Sequence, residues 1–298
     1  MRIASNTVAE NFIRQIQQLS NQQTKLQGQV STGRRIAQPE DDPAAIGRVL
    51  NLQSQQQTLD QFARNATRAL DLSQASFSGL SQIKKLSDRA TEIGTLGTGA
   101  VSAEARAAYA SELNQLIEQG VQLANSRLGN DYLYAGTAVD QPPFVATRDA
   151  QGRITGVAYA GNAQAAPIPL SDTTSLNPAT SGATNAGLRD FVNHLVSLRD
   201  ALEANDGAAV STARTSLIAS EDLLVSALAE HGAVQMRIET NRAQQAALAE
   251  NLAGLIAAET EADLPATVVK LNQAQTAYQA ALQSAATIMR TSLLDYLN

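Results

Sequence analysis

Few residues in this 298-residue chain have the types and spacing that chemistry needs. Gly94-x-x-Gly97-x-Gly99 is glycine-dense enough to suggest a loop whose amides cradle a phosphate. Such a loop follows a strand and brings a lysine. Here the pattern runs out of a helical stretch, and no Lys-Ser or Lys-Thr lies near, so the spacing reads as a helix break. Glu40-Asp41-Asp42 offers hard oxygen donors of the kind that hold calcium or magnesium. The run stands directly before Pro43, and no second ligand cluster is visible. It reads as a helix start, with a carboxylate to accept free amides and a proline whose missing N–H costs nothing there.

His194 and His231 are the only histidines. Zinc binding or acid–base work would want partners at set spacings, and there is no His-x₃-His and no cysteine. Both fall in helical patterns and are expected to face solvent or pack halfway. Arg34-Arg35, the one tight basic pair, complements a helix C-terminus, with docking to an acidic partner as the other reading. No catalytic, cofactor-binding or metal-binding residues are expected, and an enzyme is disfavoured.

Composition narrows the classes further. Hydrophobic residues make up 44% of the chain but aromatics only 4%. That suits thin helical bundles better than one thick core. The net charge of −6 argues against an electrostatic grip on nucleic acid. Without cysteine there are no disulfides and no thiol chemistry. The first residues lack the apolar core of a signal peptide, and no apolar run is long enough to cross a bilayer, so no membrane insertion is expected.

The elements that would position these residues are long amphipathic helices. Phe12, Ile16, Leu19, Gln23, Leu26 and Val30 alternate by four and three, a heptad stripe that needs a partner helix. Leu264, Val268, Leu271, Gln275, Tyr278, Leu282, Ala285 and Met289 repeat it at the other end. The two stripes are expected to pair with each other and to remain adhesive toward further copies. Gln23 and Gln275 are polar heptad positions of the kind that set register. Phe12, Ile16, Leu19, Leu26, Val30, Leu271, Tyr278, Leu282, Met289, Leu293 and Leu294 are the candidate assembly residues.

A first helix is expected from about Val8 to Ser31, stopped by Gly33, and a second from Asp41-Asp42-Pro43. The second carries Leu59, Phe62, Ala66, Ala69, Ser73, Ser76, Leu80 and Ile83 on one face, small in the middle so that a partner can approach closely. Gly94, Gly97 and Gly99 should break it, and Ser102 should cap the next helix, with Tyr109, Leu113, Leu116 and Leu123 on one face. From Gly129 the chain turns to aromatics, prolines and glycines. Phe144–Thr147 and Ile154–Tyr159, flanking Asp149–Gly152, read as a hairpin. Helix returns near Leu188, with Phe191, Val192, Leu195, Leu198 and Leu202 on one face up to Asn205–Gly207. One further pattern runs through Leu217, Leu224 and Leu228, another through Ile238, Leu248, Leu252 and Ile256. Asp263 and Pro265 open the last helix.

The expected fold is mainly α: an elongated, rod-like bundle of long antiparallel helices with coiled-coil termini and a small inserted β domain. The expected segments are an N-terminal assembly helix (1–42), a first rod half (43–138), a β-rich outer insert (139–187), a second rod half (188–263) and a C-terminal assembly helix (264–298).

The stretch VSTGRRIAQPEDDPAAI at 30–46 resembles the flagellin superfamily, with its helix, Ser-Thr-Gly-basic turn and Asp-Asp-Pro-Ala helix start. Three more stretches agree in order: 91–123, HGAVQMRIE at 231–239, and the closing LNQAQTAYQAALQSAATIMRTSLLDYLN. Met236 stands where the superfamily usually has Asn, and His231 is a further departure. Within the superfamily the hook-associated proteins that join hook to filament are most similar, through YLYAGTAVDQPPF at 132–144, the short β insert and the Ser-Leu-Leu-Asp-Tyr-Leu ending. The resemblance implies an extracellular structural subunit of the bacterial flagellum, exported partly unfolded through the flagellar type III channel. Its partners would be copies of itself in a ring, the neighbouring hook-associated junction protein, flagellin, and a cytoplasmic chaperone on the C-terminal helix. A compact flagellin, or a secreted coiled-coil effector or translocator, are the other readings.

Overall fold

A computed structural model describes the backbone over residues 2–297 and the side chains over 10–287. The chain is mainly α. The order is α1 (Arg2–Thr32), α2 (Pro43–Thr98), α3 (Ala103–Ala124), β1 (Arg127–Leu128), β2 (Asp131–Tyr132), β3 (Phe144–Arg148), β4 (Ile154–Tyr159), β5 (Ile168–Pro169), β6 (Ser175–Leu176), α4 (Gly182–Glu203), α5 (Gly207–Thr260) and α6 (Leu264–Leu297). Among the described residues the strands pair as three antiparallel two-stranded sheets, β1–β2, β3–β4 and β5–β6. Contacts divide the chain into two compact units, residues 59–246 and residues 1–58 with 247–298.

In the 59–246 unit the long helices are held by a continuous apolar core. α4 contributes Leu188, Phe191, Val192, Leu195, Leu198 and Leu202, each at most 1% exposed. The α4 face expected from spacing is thus the one that is buried. α2 contributes Leu80, Ile83 and Ile93, and α5 contributes Val210, Leu217 and Leu224 to the same core. Each such side chain withdraws apolar surface worth roughly 1.5–3 kcal/mol on full burial. Ser102 accepts from the Ala105 amide at 3.2 Å and starts α3 as expected. The buried face of α3 is Ala110, Leu113, Ile117, Gly120 and Ala124. Of the face read from sequence only Leu113 is central, because Tyr109, Leu116 and Leu123 lie on its flanks, half-buried.

Two expectations about helix ends are corrected. α2 passes through Gly94 and Gly97 and ends at Thr98. These glycines admit neighbours: a Cβ on Gly97 would meet Leu202 Cδ2 at 2.6 Å, and one on Gly94 would meet Arg214 Cγ at 3.3 Å. The propensity cost of about 1 kcal/mol per glycine is offset by close packing. The two patterns after Gly207 belong to one helix, α5, of 54 residues.

The β3–β4 hairpin forms where the sequence places it, with Phe144 opposite Tyr159 and a register shift between Thr147 and Arg148. Asp149 Oδ1 accepts the amides of Gln151 and Arg153, both at 2.9 Å, which builds the turn. The 139–187 stretch is not walled off from the helices. Phe144, Ile154 and Val157 lie in the main core, and Leu170 and Leu176 form a second cluster with Ala66, Ala69, Leu70 and Ile238. Asn193 on α4 pairs with both the amide and the carbonyl of Val157, at 2.8 and 3.0 Å. Buried Arg199 donates to the Ile154 carbonyl at 2.7 Å.

Candidate assembly interface

In the other unit, α1 and α6 pack together. The covered stripe of α1 is the one read from spacing: Leu26 is buried, and Phe12, Ile16, Leu19, Gln23 and Val30 are half-buried. On α6 the most covered residues are Thr267 and Ala274, at 7% and 6% exposed. Leu271, Gln275 and Tyr278 are half-buried. Leu264, Val268 and Leu282 are 44%, 40% and 43% exposed. The covered face of α6 is therefore rotated off the heptad stripe, and one apolar flank of that stripe is left open. Met289, Leu293 and Leu294 lie outside the described side chains.

Both connections at the inner ends of these helices are built from the residues singled out in sequence. Gly33 adopts φ +71°, a left-handed conformation that suits glycine, and its amide closes α1 on the Gln29 carbonyl at 2.9 Å. Its own carbonyl accepts from Ala262 N at 2.8 Å, and Arg35 N donates to the Thr260 carbonyl at 2.7 Å. The turn after α1 is thus stitched to the turn between α5 and α6. Asp41 Oδ2 accepts the amides of Ala37 and Gln38, while Oδ1 takes Lys25 Nζ at 2.7 Å. Asp42 Oδ1 accepts from Ala45 N at 3.0 Å, capping α2 ahead of Pro43, and Oδ2 accepts from Arg35. The carboxylates are therefore committed to amides and cations, as the helix-start reading requires.

Arg35 also donates to the Glu259 carbonyl at 2.8 Å, one of the carbonyls left free at the end of α5. The cation thus complements the C-terminus of α5, brought beside it by folding. Arg48 holds the Glu259 carboxylate through two bonds, both 2.8 Å. The Lys25 hydrogen bond, with the Gln38 and Ala37 amides, lowers the Asp41 pKa to about 2. The Ala45 amide, then Arg35, lowers that of Asp42, and Arg48 lowers that of Glu259. None of the three groups is fully buried, so solvent screening keeps these pairs weak one by one. Lys25, Arg48 and Glu259 were not singled out from sequence. Arg48 and Glu259 lie 211 positions apart, and no local pattern links them.

Of the two histidines, His194 is half-packed as expected and His231 is not. His231 is buried, 4% exposed, with Nδ1 3.2 Å from Ser73 Oγ. His194 is half-buried, with Nδ1 2.9 Å from Ser220 Oγ. Helix spacing alone did not reveal that α2 would cover His231. Among the described residues no group of His, Cys, Asp and Glu is arranged to hold a metal ion, and no helix is long and apolar enough to cross a membrane. What the unit presents is an apolar flank beside an ionic turn, a geometry suited to packing against another helix.

Residues 3–138 match the bacterial flagellin N-terminal helical region. Flagellar hook-associated protein 3 of Salmonella typhimurium is 34% identical over 146 residues, 48% of this chain and 46% of that protein. The chain thus spans about half the length of the curated relatives it matches. Among solved structures, FlgL from Bacillus cereus superposes with a TM-score of 0.60 at 18% identity, covering 70% of this chain and 99% of the other. The flagellar junction protein FlgL from Legionella pneumophila superposes with a TM-score of 0.52 at 12% identity, covering 73% and 100%. Over residues 3–138 the chain is thus similar to the flagellin N-terminal helical region, over 146 residues to a hook-associated protein, and in fold to solved FlgL structures.

Proposed function

We propose that this chain is a structural subunit of the bacterial flagellum, a hook-associated protein that joins hook to filament. The observation that carries the reading is the open apolar flank of α6, at Leu264, Val268 and Leu282, beside a half-covered α1 stripe. A helix pair in this condition gains burial only from a further partner. The partners are other copies in a ring, the adjoining hook-associated protein on one side and flagellin on the other. The assembly residues are Phe12, Ile16, Leu19, Leu26, Val30, Leu271, Tyr278, Leu282, Met289, Leu293 and Leu294. Gly33, Asp41, Asp42 and Pro43 set the turn that aims them. The subunit acts outside the cell, after export through the flagellar type III channel with a chaperone on its C-terminal helix. Its terminal helices complete their folding on assembly, since thinly covered helices are marginal in water. Segments 1–42 and 264–298 serve assembly, 43–138 and 188–263 form the helical body, and 139–187 lies outermost.

Electron microscopy of a deletion strain tests this. Hooks without filaments, with flagellin shed into the medium and filaments restored by the intact gene, are the expected outcome. Filaments absent because their major protein is absent would make the chain a compact flagellin. Normal filaments with a lost secreted activity would make it an effector or translocator.

A further inference from the structure

The 59–246 unit contains a histidine that the proposed assembly role does not use, set in a seam of small and polar side chains. His231 on α5 is 4% exposed, and Ser73 on α2 supplies its Nδ1 partner. The buried α2 residues over this stretch are Ala66, Ala69, Leu70, Ser73, Ser76, Gly79 and Leu80. None can ionise, and none carries a charge that could pair with an imidazolium. The Ser76 hydroxyl and the Gln235 side-chain nitrogen are already buried without hydrogen-bond partners among the described residues. The Tyr134 hydroxyl donates to the Ser76 carbonyl at 3.0 Å, and burial keeps it neutral. Glu230, on the same helix, is the one charge acting on the ring, and it favours protonation less than burial opposes it.

We infer that His231 and Ser73 form an acid-sensitive latch, closed at neutral pH and opened when protonation places a cation in the seam. The sign follows from the burial. The ring binds a proton less readily in the fold than in the unfolded chain. The stability it permits is therefore present above the ordinary histidine value of 6.5 and is lost as pH falls below it. Opening would be confined to the segments around 66–76 and 231–238, where this ring is buried, because the other histidine, His194 on α4, is only half-buried.

Hydrogen exchange on the full chain at pH 7.5 and 5.0, corrected for the intrinsic pH dependence of exchange, reads this directly. Peptides covering 66–76 and 231–238 should lose protection by up to tenfold per pH unit below 6.5, the limit for one linked proton. Peptides from α4 should not change. His231→Gln keeps a group able to bond Ser73 but cannot titrate, so its seam should be pH-independent. His194→Gln should behave as the parent. A pH response that survives His231→Gln, or an unchanged parent seam, would overturn the latch. Should the variant fail to fold, ring titration of the parent by NMR decides: a His231 pKa at or above 6.5 refutes the latch, and one clearly below it supports the latch.

Discussion

The same kind of heptad stripe meets two fates in this molecule. In the 59–246 unit the α2 stripe from Ala66 to Ile83 is wholly buried, including Ser73 and Ser76. In the other unit the α1 stripe has Leu26 buried and its remaining members half-covered, and α6 keeps Leu264, Val268 and Leu282 in water. A stripe is closed when more than one neighbour covers it: Leu80 and Ile83 share a core with residues of α3, α4 and α5, and Ala66 and Ala69 share one with Leu170, Leu176 and Ile238. With one partner helix only the line of contact is covered. The first arrangement makes a stable domain. The second leaves apolar surface open, which is the surface the proposed assembly role would use.

The sharpest way to break this contrast is a charge in each region. Leu113 is fully buried on α3. Leu113→Asp should unfold the 59–246 unit, since an unpaired buried carboxylate costs several kcal/mol. Its cooperative melting transition should vanish at 25 °C and above. Less severe, Leu195→Ala, also at a fully buried site, should cost about 2–5 kcal/mol and lower the melting temperature by several degrees.

Gly97→Ala should cost about 1–3 kcal/mol, because its Cβ would meet Leu202 Cδ2 at 2.6 Å. Pairing it with Leu202→Ala should recover part of that loss. An additive double variant would show that the glycine is not there to admit Leu202.

Leu282→Asp sharpens the comparison from the other side. The side chain is 43% exposed, so the monomer's melting should move by less than about 0.5 kcal/mol while motility is lost. A melting shift as large as that of Leu195→Ala would mean that α6 is already packed in the isolated protein. Brief proteolysis should likewise trim the ends and spare 59–246.

The smallest effect concerns the ionic turn. Asp41 has a folded-state pKa of about 2 against an ordinary 3.8. A depressed carboxylate contributes stability above its unfolded value and loses it as pH falls through the folded one. Protection of the Ala37 and Gln38 amides should therefore be steady above about pH 4 and decline toward pH 2. Asp41→Asn should flatten that decline, as measured by exchange at matched pH.

Much of this was legible in the residues because it is local. Gly33, the Asp42-Pro43 helix start, the Ser102 cap, the β3–β4 hairpin and the buried faces of α2 and α4 follow from backbone stereochemistry and periodicity. These act within a few residues and are complete in the sequence. What the tertiary structure decided is whatever depends on a second element. Gly94 and Gly97 look like helix breakers until Leu202 and Arg214 need the space above them. His231 looks solvent-facing until α2 covers it. Glu259 has no visible role until folding carries it to Arg35 and Arg48. The α6 stripe could be read from its spacing, but which flank stays open depends on how α6 is rotated against α1. Periodicity fixes that a helix has an apolar face; only the partners that reach it determine how much of that face is hidden.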